Sequence, residues 1–101
     1  MINENQALKL LESYIDNQKI INHCKGVANI AFEIGFKIFK QNPTININLD
    51  KIKIAAILHD IGKAQNGLHE INTIKILKKE KLFDIAQITM HGFVYEIFLL
   101  Y

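Results

Sequence analysis

Two adjacent residues, His59 and Asp60, carry the clearest chemical signal in this 101-residue chain. Imidazole nitrogens and carboxylate oxygens are ligands that divalent transition metals accept together. The pair ends an apolar stretch, and a buried carboxylate is costly unless a cation, a lysine or solvent compensates its charge. Neighbouring residues on a helix diverge by about 100°, so both side chains can reach one ion only where the helix ends. Gly62 predicts that end, as a left-handed cap.

A second imidazole is placed to join this pair. His23 lies on the apolar stripe of a long predicted helix, with Ile20 about one turn before it and Val27 about one turn after it. A metal site in the core of a helical bundle needs such a side chain from a second helix. Taken alone, the position of His23 is as typical of a core histidine bonded to a backbone carbonyl as it is of a metal ligand. Cys24 has no Cys-x-x-Cys partner, and we interpret it as a small buried hydrophobe.

The remaining candidates are His69, His91 and Lys63, and each has an ordinary alternative. His69 begins a predicted helix, where a solvated histidine fits the pattern as well as a ligand does. His91 precedes Gly92 in a loop and has the same alternative. Lys63 directly follows Gly62 at the end of the same segment, although the chain is rich in lysines that are expected to be solvated. The residues by themselves leave these alternatives open.

Apolar residues recur at helical spacing along most of the chain. We predict helices at about residues 4–15, 19–40, 51–60, 69–79 and 82–90, followed by an apolar tail over residues 93–101. The third helix is apolar on nearly every side, which places it in the middle of a bundle, and Asn48 or Asp50 would cap it. Residues 44–48 alternate like a strand but have no partner strand, so we predict an extended loop. The expected fold is all-α, a single domain over residues 1–101 built as a compact bundle of about five helices.

Composition limits the classes of function. Half of the residues are hydrophobic, which is enough for a packed core. The net charge is only +2 and all twelve basic residues are lysines, which argues against specific nucleic-acid binding because readers of bases favour arginine. A single cysteine excludes an intrachain disulfide. No apolar run approaches the roughly 20 residues that span a bilayer, and the N-terminus does not have the pattern of a signal peptide. We therefore expect a cytoplasmic protein without a membrane partner.

Residues 55–63, Ala-Ala-Ile-Leu-His-Asp-Ile-Gly-Lys, resemble the signature helix of the HD-domain phosphohydrolases, in its HDIG form. Residues 23–31 resemble the upstream His-x-x-x-Val-Ala-x-x-Ala helix of the same family. The similarity covers about residues 8–95, and it implies an HD-domain-like helical fold.

The resemblance also implies metal ligands. His23, His59 and Asp60 would bind a divalent ion, for which Mn, Fe, Co, Ni, Zn and Mg are all candidates. His69 and His91 match the additional histidines with which two-metal members of the family hold a second ion, with Asp60 bridging the two. One or two metal ions are therefore expected.

The chain departs from the family pattern near its C-terminal end. The family's set of metal ligands normally ends with an aspartate after the last histidine. In this chain Asp84 is the last aspartate, and Glu96 is the one carboxylate side chain after His91. The apolar residues 98–101 come next. We therefore expect a chain truncated before the last ligand, or one that forms a homo-oligomer through its apolar tail. Thr73 stands where the two-metal pattern usually has glycine, and no Gly-Tyr-Pro motif assigns the chain to the cyclic-dinucleotide phosphodiesterases.

The leading functional hypothesis is a metal-dependent phosphohydrolase. It would hydrolyse a phosphomonoester, nucleotide or phosphodiester through a metal-activated water, and its partner would be a small phosphorylated substrate, nucleotide-like in character. Asp60 and Lys63 are the candidate catalytic residues, because Lys63 matches a family lysine near the substrate phosphate. The main rival is a non-catalytic HD-like signalling or interaction module that has lost a complete metal site. A helical oligomerisation unit with incidental histidines is the third hypothesis, and the retention of so many family residues argues against it.

Overall fold

The computed structural model describes residues 2–44, 46 and 48–90. The described chain forms α1 (Glu4–Tyr14), α2 (Gln18–Gln41), α3 (Leu49–Leu58), a 3-10 turn (Ile61–Ala64), α4 (His69–Lys79) and α5 (Phe83–Met90). These residues contain no β-strand, so the predicted all-α bundle of about five helices is confirmed. None of the described helices is long and apolar enough to cross a membrane. His91, Glu96 and the predicted tail lie outside the described residues.

Asparagine side chains set the beginnings of the first three helices. Asn3 and Gln6 form a reciprocal capping box on α1, in which each side chain accepts a hydrogen bond from the other residue's backbone N–H. The Asn17 side chain accepts from the N–H groups of Lys19 and Ile20 at the start of α2. Asn48, rather than Asp50, caps α3. Each cap satisfies N–H groups that the first turn of a helix leaves without a partner.

Helix α3 occupies the middle of the bundle, as its composition predicts. Its buried residues are Ile52 and the continuous run from Ile54 to Leu58. It packs against α1, α2 and α5, while α4 packs against the 3-10 turn and α5. Leu58, Asp60 and Ile61 at the end of α3 are all buried, so a polar group at these positions needs partners inside the protein.

The end of α3 differs from the sequence prediction. The helix ends at Leu58, so His59 and Asp60 lie in the turn that joins α3 to the 3-10 turn. The predicted left-handed conformation of Gly62 is wrong, because Gly67 is the glycine with positive φ among the described residues. The reason for a glycine at position 62 is space. A Cβ atom there would lie 2.0 Å from the carbonyl oxygen of His69 and 2.4 Å from the backbone nitrogen of Thr73. Gly62 thus allows α4 to touch the turn that carries His59 and Asp60.

Candidate metal centre

One carboxylate oxygen is the centre of the candidate site. Oδ2 of Asp60 lies 3.1 Å from Nε2 of His59, 3.4 Å from Nε2 of His23 and 3.3 Å from Nζ of Lys63. The rings of His23 and His59 are 5.8 Å apart between centroids. Asp60 is only 7 % exposed, so its charge is largely removed from bulk water. The three nitrogens that face it come from α2, from the residue after α3 and from the 3-10 turn.

The His59 ring is oriented by the backbone. Its Nδ1 is hydrogen-bonded to the carbonyl oxygen of Ala56. A carbonyl oxygen can only accept, so Nδ1 carries the proton and Nε2 is the nitrogen directed at Asp60. Histidine ligands of metals are commonly held in this way, with one ring nitrogen donating to a carbonyl and the other facing the ion. The His59 side chain is only 11 % exposed, which restricts the ring to this position.

The site is closed on the His59 side and open on the other. The His23 side chain is 52 % exposed and that of Lys63 is 38 % exposed. His23 is therefore a histidine at the rim of the bundle, not the core imidazole that its position on the apolar stripe also allowed. A small molecule would approach Asp60 from the side on which His23 and Lys63 meet solvent.

The electrostatics of the site keep Asp60 ionised. Burial by itself raises the pKa of this carboxyl group, because it penalises the charged form. The hydrogen bond and charge of His59, together with the charge of Lys63, outweigh burial and lower the pKa from 3.8 to about 2. The carboxylate is consequently available as an anionic ligand at neutral pH.

The three side chains fit a divalent metal ion. Ligand atoms of His23, His59 and Asp60 all lie within 4.8 Å of one another, and no other such group of histidine, cysteine or acidic residues occurs in the described chain. Two imidazole nitrogens and one carboxylate oxygen suit Zn, Fe, Co, Ni or Mn, and three protein ligands leave coordination positions free for other molecules.

Of the two histidines predicted to hold a second metal, His69 is not part of this group in the described structure. His69 begins α4 with its side chain 45 % exposed, and its Nε2 lies 3.2 Å from the Glu70 carboxylate. His91 lies outside the described residues. The second ion therefore stays a prediction from the family resemblance.

Cys24 is fully buried beneath the site and is not one of the grouped ligands. Burial and the negative charge of Asp60 raise the pKa of its thiol from 9.0 to about 11. The thiol is thus protonated at neutral pH, which agrees with its interpretation as a small buried hydrophobe. Helical spacing predicts a Cys24 side chain directed away from the site, and this prediction is wrong, because the thiol lies close enough to Asp60 for that charge to raise its pKa.

Two residues of α4 support the turn from behind, and sequence reasoning did not assign either of them to the site. The fully buried Thr73 hydroxyl accepts from the Gly62 N–H and donates to the His59 carbonyl oxygen. The Asn72 side-chain amide donates to the carbonyl oxygens of Gly62, Gln65 and Asn66. A signal existed for Thr73, which is a polar residue on the apolar stripe formed by Ile76 and Leu77.

Comparison with known proteins agrees with this arrangement. A family model described as "HD domain" matches residues 20–96, which include His23, His59, Asp60 and α4. No curated protein and no solved structure gives a match to the chain.

Proposed function

The chain belongs to the HD-domain family, and from that premise we propose that it is a metal-dependent phosphohydrolase whose metal is held by His23, His59 and Asp60. The family consists in general of metal-dependent phosphohydrolases. We further propose that the substrate is a small phosphorylated molecule of nucleotide-like character, either a monoester or a diester. We also propose that the chain belongs to the HDIG type of this family, which is named for the motif at residues 59–62.

The observation that carries the proposal is the environment of one oxygen atom. Asp60 Oδ2 is a buried anion that faces the Nε2 atoms of two histidines within 3.4 Å. When both imidazoles are neutral, their lone pairs and the carboxylate all point at the same small region. A divalent cation bound between them would supply the positive charge that this group of donor atoms attracts.

Charge balance at this site favours an anionic substrate. Two neutral imidazoles and one carboxylate contribute a charge of −1, so a bound divalent ion leaves the centre positive. The cation would polarise a phosphoryl oxygen and lower the pKa of a water molecule bound to it. His23 and Lys63 border the open side of the site, where a phosphate group would arrive.

Lys63 would exchange partners in this scheme. Its ammonium group now neutralises Asp60 at 3.3 Å, and its side chain is exposed enough to move. Positive charge at the metal position would weaken the attraction between Lys63 and Asp60. The ammonium group would then pair with the substrate phosphate instead, as a point charge.

The test measures metal binding and hydrolysis in the purified chain. Equilibrium dialysis against Mn²⁺, Co²⁺, Ni²⁺ or Mg²⁺, followed by elemental analysis, gives the stoichiometry and the affinity. Release of p-nitrophenol from its phosphate monoester and from its diester, and release of phosphate from a nucleotide, give the activity. The matched variants are Asp60→Asn and Asp84→Asn. Asp84 is a half-exposed aspartate on α5 that pairs with Lys51.

We expect metal-dependent hydrolysis that Asp60→Asn lowers by about 100-fold or more, since metal-ion charge stabilisation is worth several kcal/mol. Asp84→Asn should leave metal binding and activity unchanged. Metal-free protein, or hydrolysis equal in the parent and Asp60→Asn, would refute the enzymatic proposal. Stoichiometric metal binding without hydrolysis of any of the three substrates would also refute the enzymatic proposal, whereas a chain that binds no metal would favour the non-catalytic HD-like module that has lost a complete metal site.

A further inference from the structure

The turn that carries His59 and Asp60 has two backbone groups that helix α3 does not satisfy. The carbonyl oxygen of His59 follows the end of the helix, and the N–H of Gly62 begins the next turn of chain. Both groups are bonded by a single side-chain atom, Oγ1 of Thr73, which is 2.9 Å from the Gly62 nitrogen and 3.2 Å from the His59 oxygen. One hydroxyl thereby joins the two ends of the segment that contains both ligands.

From this geometry we infer that Thr73 is a positioning residue of the metal centre, acting through the backbone of His59 and Gly62; the inference rests on the proposed function. Thr73 lies 11 residues from Gly62 and 14 from His59 along the chain, so its hydroxyl links α4 to the ligand-bearing turn, as the Asn72 amide also does at the Gly62 carbonyl oxygen. Because it is 0 % exposed, water cannot replace its hydroxyl without rearrangement of the core.

The contact between α4 and the turn is so close that a displacement of α4 would displace the turn that carries His59 and Asp60. The space beside Gly62 is filled by the His69 carbonyl oxygen, the Thr73 backbone nitrogen and Thr73 Oγ1. The Asn72 amide holds the following loop to the same helix turn through the carbonyl oxygens of Gln65 and Asn66. Metal ligands must keep their positions within about 0.5 Å, and outer partners that orient them commonly change metal affinity by about 10–100-fold.

A second threonine of the bundle provides the matched control. Thr89 on α5 donates its hydroxyl to the carbonyl oxygen of Ile85, one turn earlier on its own helix. Such a bond within a helix is the usual use of a helical threonine hydroxyl and joins no other element. Thr73→Val and Thr89→Val remove one hydroxyl each with similar volume, and Thr73→Ser restores the hydroxyl at the first position.

The experiment uses Co²⁺ alone as the probe of the full chain. Its visible absorption reports the geometry of the ligands, and titration gives the affinity, while circular dichroism follows thermal unfolding of the metal-free protein. We expect Thr73→Val to weaken Co²⁺ binding by about 10–100-fold and to change the absorption bands. Thr73→Ser and Thr89→Val should bind Co²⁺ with the parent affinity and spectrum.

The outcomes separate this inference from the proposed function. If the parent binds Co²⁺ and Thr73→Val binds it with the same affinity and spectrum, the positioning role is refuted while the metal centre stands. Equal weakening in Thr73→Val and Thr89→Val would also refute it, because loss of stability alone would then explain the change. A parent chain that binds no Co²⁺ overturns both proposals. If Thr73→Val does not fold, Thr73→Ala takes its place, with weakening of about 10-fold expected and parent-like binding refuting the role.

Discussion

Replacement of Gly62 by alanine tests whether α4 touches the ligand-bearing turn. The backbone of Gly62 does not have positive φ, so alanine is not excluded by its own conformation. The entire penalty must therefore come from packing. The new Cβ atom would lie 2.0 Å from the His69 carbonyl oxygen, 2.4 Å from the Thr73 nitrogen and 2.6 Å from Thr73 Oγ1. Two of these are backbone atoms, which cannot move away unless the first turn of α4 moves with them.

The magnitude follows from these contacts. Forcing an extra methyl group into a packed core costs about 1–3 kcal/mol. Moving Thr73 also breaks its hydrogen bonds to buried backbone groups, and leaving such groups unsatisfied costs about 1–3 kcal/mol. We expect Gly62→Ala to lower the free energy of unfolding by about 2–6 kcal/mol, a large part of the roughly 5–15 kcal/mol that holds a domain folded. The Tm would fall by at least about 8 °C.

The assay is urea unfolding of the metal-free chain, followed by circular dichroism, with Gly26→Ala as the matched control. Gly26 is exposed within α2, and a Cβ atom there would have no other atom within 4 Å. Alanine at that position should raise stability by about 0.5–1 kcal/mol, since glycine is unfavourable inside a helix. A Gly62→Ala protein within about 1 kcal/mol of the parent would refute the close approach of α4.

Two further predictions concern the supports of α1 and α2. The Tyr14 hydroxyl should titrate above its ordinary pKa of 10.0, because it donates a 2.8 Å hydrogen bond to the Glu80 carboxylate. Absorbance at 295 nm should show the raised pKa, and Glu80→Gln should lower it toward the ordinary value. The raised pKa means that the contact stabilises the fold below pH 10 and loses that contribution as the pH rises through the folded pKa. A Tyr14 titration that Glu80→Gln leaves unchanged would contradict the assignment of this hydrogen bond. Asn17→Ala should lower the free energy of unfolding in urea by about 1 kcal/mol, because it removes the cap of α2. Asn29→Ala, at an exposed position of the same helix, should not lower it, and equal effects of the two substitutions would contradict the capping role.

Much of the fold could be predicted because it depends on local pattern. Helix α4 runs from His69 to Lys79, as its spacing of apolar residues predicts, and the uniformly apolar α3 is central. The prediction failed at the end of α3. The usual role of a glycine after a helix predicts a left-handed stop at Gly62, whereas the glycine leaves room for a helix that follows later in the chain. A single-sequence pattern contains no information on which neighbour will approach a glycine.

The candidate site divides in the same way. His59, Asp60 and Lys63 lie within five positions, so their proximity follows from the turn itself. His23 joins them because α2 packs on α3, which the apolar stripe of α2 already indicated. That stripe also suggested an inward side chain, whereas the His23 ring is half exposed because it lies at the edge of the buried face. Periodicity identifies a helix face well, but it does not resolve whether a residue at the border of that face is covered.

The least predictable part of the site is the pairing of Gly62 with Thr73. Each residue has an ordinary explanation when it is considered alone, as a helix stop and as a polar residue on an apolar stripe. Together they form one contact, because the absence of a side chain at Gly62 lets Thr73 reach both its N–H and the His59 carbonyl oxygen. The two positions should therefore depend on each other. In a double-mutant cycle, Gly62→Ala and Thr73→Val should destabilise the chain by less together than the sum of their separate effects, because the first already displaces the hydroxyl that the second removes.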